Sequence, residues 1–423
     1  MKKIFLLIIV LSLFIRFLLV LSAYHGDLNN NISWGDLLLA RGTNGFYGSS
    51  DANDWPYSAP NQPPLYLYIF ALTSWINKSV EDAAFWLNKN FKDFPSRFIW
   101  FWQEKGKVIA VKLPGIIADI GVSYLIFSYL SKKGKMKTAL IITTLWLFNP
   151  VVIYNSTVWG QTDSTVNFFG LASVLSLLAG NLAVATLLFT LGFLYKGSLL
   201  IFIPIILVYC LKKKFTLKVY VKAIVLSLGV VFLISFPFHP YLDFPLWFVN
   251  LYKERIIPGE IGYLTANAFN FWWLINPGKV LDSTKYLFFT ARVWGMLITF
   301  FLIGFISFRF YKNPKEEKIF FYLSLVAWLS FLFMTRMHER YLYPFFPYST
   351  ILVGFYPITI WVYISVSIVH LLNLYHLFWQ PEIPVLIDSY NNEWFPKILS
   401  VFILFLFLSY VCLVKLSEKR KMS

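Results

Sequence analysis

Residues 24–36 read Tyr24-His-Gly-Asp-Leu-Asn-Asn-Asn-Ile-Ser-Trp-Gly-Asp36 and follow directly on an apolar run from Ile4 to Ala23. The polar stretch continues through Arg41-Gly-Thr-Asn-Gly-Phe-Tyr47 to Asn61-Gln-Pro-Pro-Leu-Tyr66. Lys2-Lys3 ahead of the run resembles a signal peptide, but no convincing small-x-small cleavage pattern follows, so the run reads as a retained first span. A loop rich in Asp, Asn, Trp and Tyr therefore begins where a span ends. Arg16 interrupts that span, and the sequence leaves open whether it faces the bundle or snorkels to the surface.

Composition agrees. The chain of 423 residues is 58% hydrophobic, 20% aromatic and 14% charged, with mean hydropathy +0.63. A soluble fold of this size cannot hide so much apolar surface, which implies a polytopic membrane protein. The formal charge of +16 is no nucleic-acid footprint, because most Lys and Arg fall in short runs at the ends of apolar segments. Cys210 and Cys412 lie inside or at the edge of such segments, which argues against a disulfide framework or a Cys metal site.

The charge runs set an expected topology. Lys2-Lys3, Lys132 to Lys137, Lys212 to Lys214, Arg309 to Lys318 and Lys415 to Lys421 all fall on one side if the chain is an all-α bundle of about twelve spans. Both termini are then cytoplasmic. Residues 1–423 form one membrane domain with two large outer loops, 24–107 and 238–285. Within the first, Pro63 to Trp75 looks too short to span and suits an interfacial helix. Short paired spans are expected at 182–211, broken near Lys196-Gly197, and at 345–378, broken near Tyr356-Pro357.

On this topology the unusual polar residues collect on the outer face. Asp27, a few residues past a span end, can reach both water and the lipid boundary. It suits a general base toward a hydroxyl acceptor, or is an ordinary loop acid or helix cap. Arg336, His338 and Arg340 can bind a phosphate through charge-assisted hydrogen bonds, although Arg336 is equally placed to snorkel. Lys196 is a further phosphate contact or a span-end residue. In Val158-Trp-Gly-Gln-Thr-Asp-Ser164, Trp159 can stack on a sugar while Gln161 and Asp163 bind hydroxyls; the same segment can be a capped helix start. Asn267, in the aromatic stretch Tyr263 to Trp273, lines a sugar site or belongs to an interfacial belt.

No Walker loop, dinucleotide fingerprint, HExxH or G-x-S-x-G occurs. Asp51 and Asp54 leave room for a divalent cation, but no definite metal site or cofactor can be assigned. Without a nucleotide site, an activated donor must come some other way, and a membrane-embedded enzyme can take it as a lipid phosphate.

Together these segments resemble the GT-C superfamily of polyprenyl-phosphate-sugar-dependent glycosyltransferases. They look most like prokaryotic mannosyltransferases related to the second GPI mannosyltransferase, and more distantly like dolichyl-phosphate-glucose-dependent glucosyltransferases. The resemblance rests on Asp27, Trp34, Gly45-Phe-Tyr47, Gln62-Pro-Pro-Leu-Tyr66, Lys112-Leu-Pro-Gly-Ile-Ile-Ala-Asp119, Asn149-Pro150, Trp159 to Ser164, Asn267-Ala-Phe-Asn270 and His338-Glu-Arg-Tyr341, in the family's order. It implies a cavity outside the cytoplasm in which Asp27 is the base of an inverting transfer of a hexose, mannose first. Trp34, Tyr47, Asp54, Gln62, Tyr66, Trp159, Gln161, Asp163 and Asn267 would bind substrate. Lys196, Arg336, His338 and Arg340 would face the donor phosphate. The partners implied are a lipid-linked sugar donor, a glycan, lipid or protein acceptor, and membrane lipid. The membrane is the plasma membrane in a prokaryote or the ER membrane in a eukaryote. Two departures stand out: Lys112 replaces a commoner Arg, and Ser58-Ala-Pro-Asn61 looks inserted.

The rivals are a multispan transporter or lipid-linked-sugar flippase, which should show two related halves with interrupted spans, and a scaffold subunit with a decayed site.

Overall fold

The computed structural model describes residues 1–48, 54–257 and 261–422. The fold is all-α. Helix α1 (Lys2–Leu19) leads into α2 (Asp27–Arg41), α3 (Pro64–Asn90) and α4 (Ser96–Lys132). Next come α5 (Met136–Leu147), a single turn α6 (Pro150–Ile153) with a π-helical turn at Tyr154–Trp159, α7 (Asp163–Leu178) and α8 (Leu182–Tyr195). Then follow α9 (Ile203–Lys213), α10 (Leu217–Ser235), α11 (Phe244–Leu251) and α12 (Phe271–Ile275). The chain ends with α13 (Ala291–Lys312), α14 (Glu316–Phe333), α15 (Phe345–Phe355), α16 (Ile360–Leu377), α17 (Pro384–Tyr390) and α18 (Trp394–Met422). Among the described residues strand is confined to two-residue pieces. β1 (Thr265–Ala266) pairs in parallel with β4 (Met337–His338), and β2 (Lys285–Tyr286) pairs with β3 (Phe289–Thr290).

Among the described residues five helices are long and apolar enough to cross a membrane: α4, α10, α13, α16 and α18. The pair α5 and α6, bent by 47° at Asn149-Pro150, makes up to six. The expected count of twelve is therefore not reproduced on length and composition. Helices nonetheless occupy each expected segment. Those short of the criterion, such as α7, α8 and α15, are largely sheathed by neighbours, and α1 and α14 carry charges at their ends.

The first outer loop departs from expectation. The segment from Pro63 belongs to α3, a helix of 27 residues. Pro64 starts it at a position where its missing N–H costs nothing, and no Gly or Pro interrupts the sequence before Pro95. The helix therefore runs on through the polar Asn77 to Asp82. Helix α2 lies against α3 at close range: a Cβ on Gly35 would fall 2.3 Å from the Phe70 carbonyl oxygen.

Arg16, Asp119 and Lys112 are among the charged side chains taken into the bundle interior. Arg16 faces inward, not outward, with its guanidinium 3.2 Å from Asp119 of α4 and 3.1 Å from the Leu147 carbonyl. Asp119 also accepts from Ser156 and Ser164, each at 2.6 Å, so its buried charge is matched by a cation and two hydroxyls. Lys112 is 1% exposed, and its ammonium donates to the carbonyls of Val20, Ala23 and Val158 at 2.8–2.9 Å. All three of its protons are used.

Candidate functional site

Lys112 ties together the two chain segments that carry the polar groups of a cavity. One is the exit of α1, which leads through His25 and Gly26 to Asp27 at the start of α2. The other is the π-helical turn ending at Trp159. Gly160 then takes φ +85°, and a Cβ there would meet Leu28 at 2.8 Å and Lys112 at 2.9 Å. Only glycine lets the chain turn so close to both. The turn delivers Gln161, whose Nε2 donates to Asp27 Oδ2 at 2.8 Å.

The cavity has a volume of about 460 Å³. Asp27, Asn30, Asn31 and Trp34 of α2 form one wall, Asn61, Gln62 and Tyr66 another, and Arg255, His338, Arg340 and Tyr341 a third. The Asp27 side chain keeps 47% of its surface accessible, so a carboxylate oxygen is presented to the cavity. His25 Nδ1 lies 3.1 Å from the Asp27 backbone nitrogen and 3.4 Å from Oδ1. The shorter contact identifies Nδ1 as acceptor of the backbone N–H. Burial works to raise the Asp27 carboxyl; His25, the Arg340 charge and the Gln161 amide outweigh it and hold it at about 2.

In the same cavity lining, Arg340 is oriented by two carboxylates. Its Nη1 donates to Glu339 Oε1 at 2.8 Å, and its Nε lies 3.9 Å from Asp163 Oδ2, which is too long for a hydrogen bond. Nε is thus a buried donor with no hydrogen-bond acceptor. Asp163 is the hub behind it, receiving Lys196 Nζ at 2.7 Å and Asn155 Nδ2 at 3.3 Å. Burial, then the Arg340 and Lys196 charges, push His338 down to about 3, so its imidazole is neutral near pH 7. Burial likewise raises the Glu339 carboxyl, against the pull of Arg340.

Seven of the sequence candidates line the cavity: Asp27, Trp34, Gln62, Tyr66, Gln161, His338 and Arg340. Four others support its walls. Tyr47 donates to the Gln62 carbonyl at 2.6 Å, and Trp159 is fully buried against His25 and Phe378 rather than offered to a sugar. Asp163 and Lys196 pair with each other, so Lys196 is not a free cation toward a phosphate. Three lie elsewhere. Arg336 makes a forked pair with Asp282, at 2.6 and 3.1 Å, outside the cavity lining. Asp54 is exposed, with its carbonyl accepting from Arg41, and its neighbour Asp51 lies outside the described residues. Asn267, at φ +64°, uses its backbone, accepting from Asn373 and bridging to His338. Among the described residues no group of three His, Cys, Asp or Glu side chains is placed to hold a metal ion.

Sequence reasoning missed Arg255, which lies in the second large loop, and the asparagines Asn30, Asn31 and Asn61. A basic residue outside the charge-rich side was the available signal for Arg255. The inserted-looking Ser58 is part of the wall's support: it bonds Asn30 through its amide and hydroxyl, and its carbonyl accepts from Trp34 Nε1 at 2.7 Å.

No family model matches the chain. The chain is similar to a protein of Dictyostelium discoideum named "Probable dolichyl pyrophosphate Man9GlcNAc2 alpha-1,3-glucosyltransferase", at 22% identity over 388 residues, 86% of this chain and 72% of the relative. That likeness supports an integral membrane glycosyltransferase of the GT-C superfamily and lipid-linked glycan biosynthesis. It does not support the narrower resemblance to GPI mannosyltransferases.

Proposed function

We propose that the chain transfers a hexose from a polyprenyl-phosphate sugar to an acceptor hydroxyl outside the cytoplasm, with inversion, in the cavity between Asp27 and Arg340. The observation that carries this is that an accessible carboxylate, Asp27, and a guanidinium, Arg340, line one cavity, with the Arg340 charge acting on that carboxylate. The acceptor oxygen attacks the anomeric carbon, and the bond from that carbon to the donor phosphate breaks. The phosphate leaves with the electron pair, and Arg340 stabilises the charge that gathers on it. The acceptor proton passes to Asp27. A carboxylate held at about 2 is a weak base toward a free alcohol. It therefore accepts the proton late, once the forming bond has made the hydroxyl acidic. Neutral His338 contributes hydrogen bonding rather than charge.

The sequence resemblance favours mannose as the sugar, while the relative's name favours glucose and a glycan acceptor. The test is incubation of membranes holding the protein with a panel of radiolabelled polyprenyl-phosphate hexoses, beside membranes holding Asp27→Asn. Transfer of one hexose by the wild type and none by the variant is expected. Equal transfer by both would overturn Asp27 as base, and no transfer from any lipid-linked hexose would overturn the donor class.

A further inference from the structure

A second cavity, of about 890 Å³, lies between α13, α14 and α18. It is a trough with apolar walls, including Phe305, Leu325, Leu329 and Phe407. One end is ringed by Arg309, Lys312, Lys318 and Lys415, with Glu418 as the facing carboxylate. Lys318 and Glu418 neutralise each other at 2.8 Å. Arg309, Lys312 and Lys415 have no carboxylate within ion-pair distance among the described residues. The charged end is at the start of α14, whereas His338 and Arg340 follow the other end of that helix. The trough is thus separate from the site described above.

We infer that this trough holds an anionic phospholipid, with acyl chains along α14 and the phosphate among Arg309, Lys312 and Lys415. Charge complementarity selects the occupant. Three uncompensated cations attract a phosphodiester and repel the ammonium of a zwitterionic headgroup. Length agrees, because from Lys318 to Phe333 the lining covers about 22 Å at 1.5 Å per residue, more than the ~15 Å of one leaflet's hydrocarbon. An extended acyl chain fits within it.

The test uses the delipidated full chain in detergent, mixed with equal amounts of phosphatidylglycerol and phosphatidylcholine carrying the same acyl chains. Bound lipid is read by native mass spectrometry. Phosphatidylglycerol is expected to be retained about fivefold over phosphatidylcholine. Arg309→Gln/Lys312→Gln/Lys415→Gln should bring the ratio near one. Lys213→Gln/Lys214→Gln/Lys218→Gln should leave it unchanged, since those residues lie outside the trough, next to Lys212, which stacks on Tyr311 of α13. Equal retention of both lipids by the wild type would overturn the site, and that ratio decides alone if a variant fails to fold. Equal loss in the two variants would reduce it to diffuse surface charge. Displacement of the lipid by millimolar glycerol 1-phosphate would make it a plain phosphate site.

Discussion

Gln161 Nε2 donates to Asp27 Oδ2 at 2.8 Å across 134 residues of chain. The carboxylate is therefore positioned by a partner from a distant turn, and removing either side chain tests the same geometry.

Asp27→Asn keeps the shape and the hydrogen-bonding capacity but cannot take a proton. Transfer should fall by about 10²–10⁴-fold in kcat, with donor KM changed only a few-fold. Steady-state kinetics on the purified variant checks this, and a kcat near wild type would remove Asp27 from the chemistry.

Gln161→Glu places a second carboxylate against the first. Like charge raises the Asp27 carboxyl from about 2, so the acid limb of kcat/KM should move to higher pH, while Gln161→Ala lowers kcat with less movement of the limb. A pH–rate profile identical in wild type and Gln161→Glu would contradict the contact.

Arg340→Met removes the cation facing Asp27 but leaves Glu339, which is fully buried, without its partner. Folding should suffer first. Arg340→Met/Glu339→Gln should recover thermal stability without recovering donor binding. Recovery of donor KM in the double variant would show that Arg340 serves stability alone.

His338 is depressed from 6.5 to about 3 in the folded protein. Between those values the unfolded chain binds the proton and the folded one does not, so stability rises with pH through this window and falls on acidification. His338→Gln should flatten that part of the stability profile relative to wild type. Thermal melts at pH 4, 5, 6 and 7 measure it, and parallel profiles would refute the neutral imidazole.

Lys112→Met strands three carbonyls, at Val20, Ala23 and Val158. A loss of about 3 kcal/mol or more is expected. Because those carbonyls flank Asp27 and Gln161, kcat should drop more than donor affinity in whatever fraction folds. Lys112→Arg should restore part of both. A variant as stable and active as wild type would deny Lys112 that role.

Much of the helical layout was legible because breaks have chemistry: Lys196-Gly197 and Tyr356-Pro357 each end an element where Gly or Pro makes continuation costly, whereas the bend at Asn149-Pro150 fell inside an expected single span. The extent of α3 was not, because its second half is polar and the apolar stretch alone suggested a short interfacial piece. At the site, Asp27, Gln161, His338 and Arg340 were visible as polar residues stranded near apolar runs. Their pairings were not. Nothing local told that Arg336 would close on Asp282, 54 residues away, or that Lys196 would be matched by Asp163. Such matches depend on which helix faces meet, which spacing along one chain does not encode.

Arg16 and Asp119 stand 103 residues apart in sequence, which bears on how the chain is made. Helix α1 emerges from the ribosome with a cation that the bilayer rejects, and its counter-charge is not synthesised until α4 is well advanced. The first helix is therefore expected to stay at the insertion machinery, or at the membrane surface, until α4 arrives. Nascent chains cut before Asp119 should remain extractable by alkali, and those cut after α5 should not. Firm integration of the shorter fragments would show that the pair plays no part in insertion.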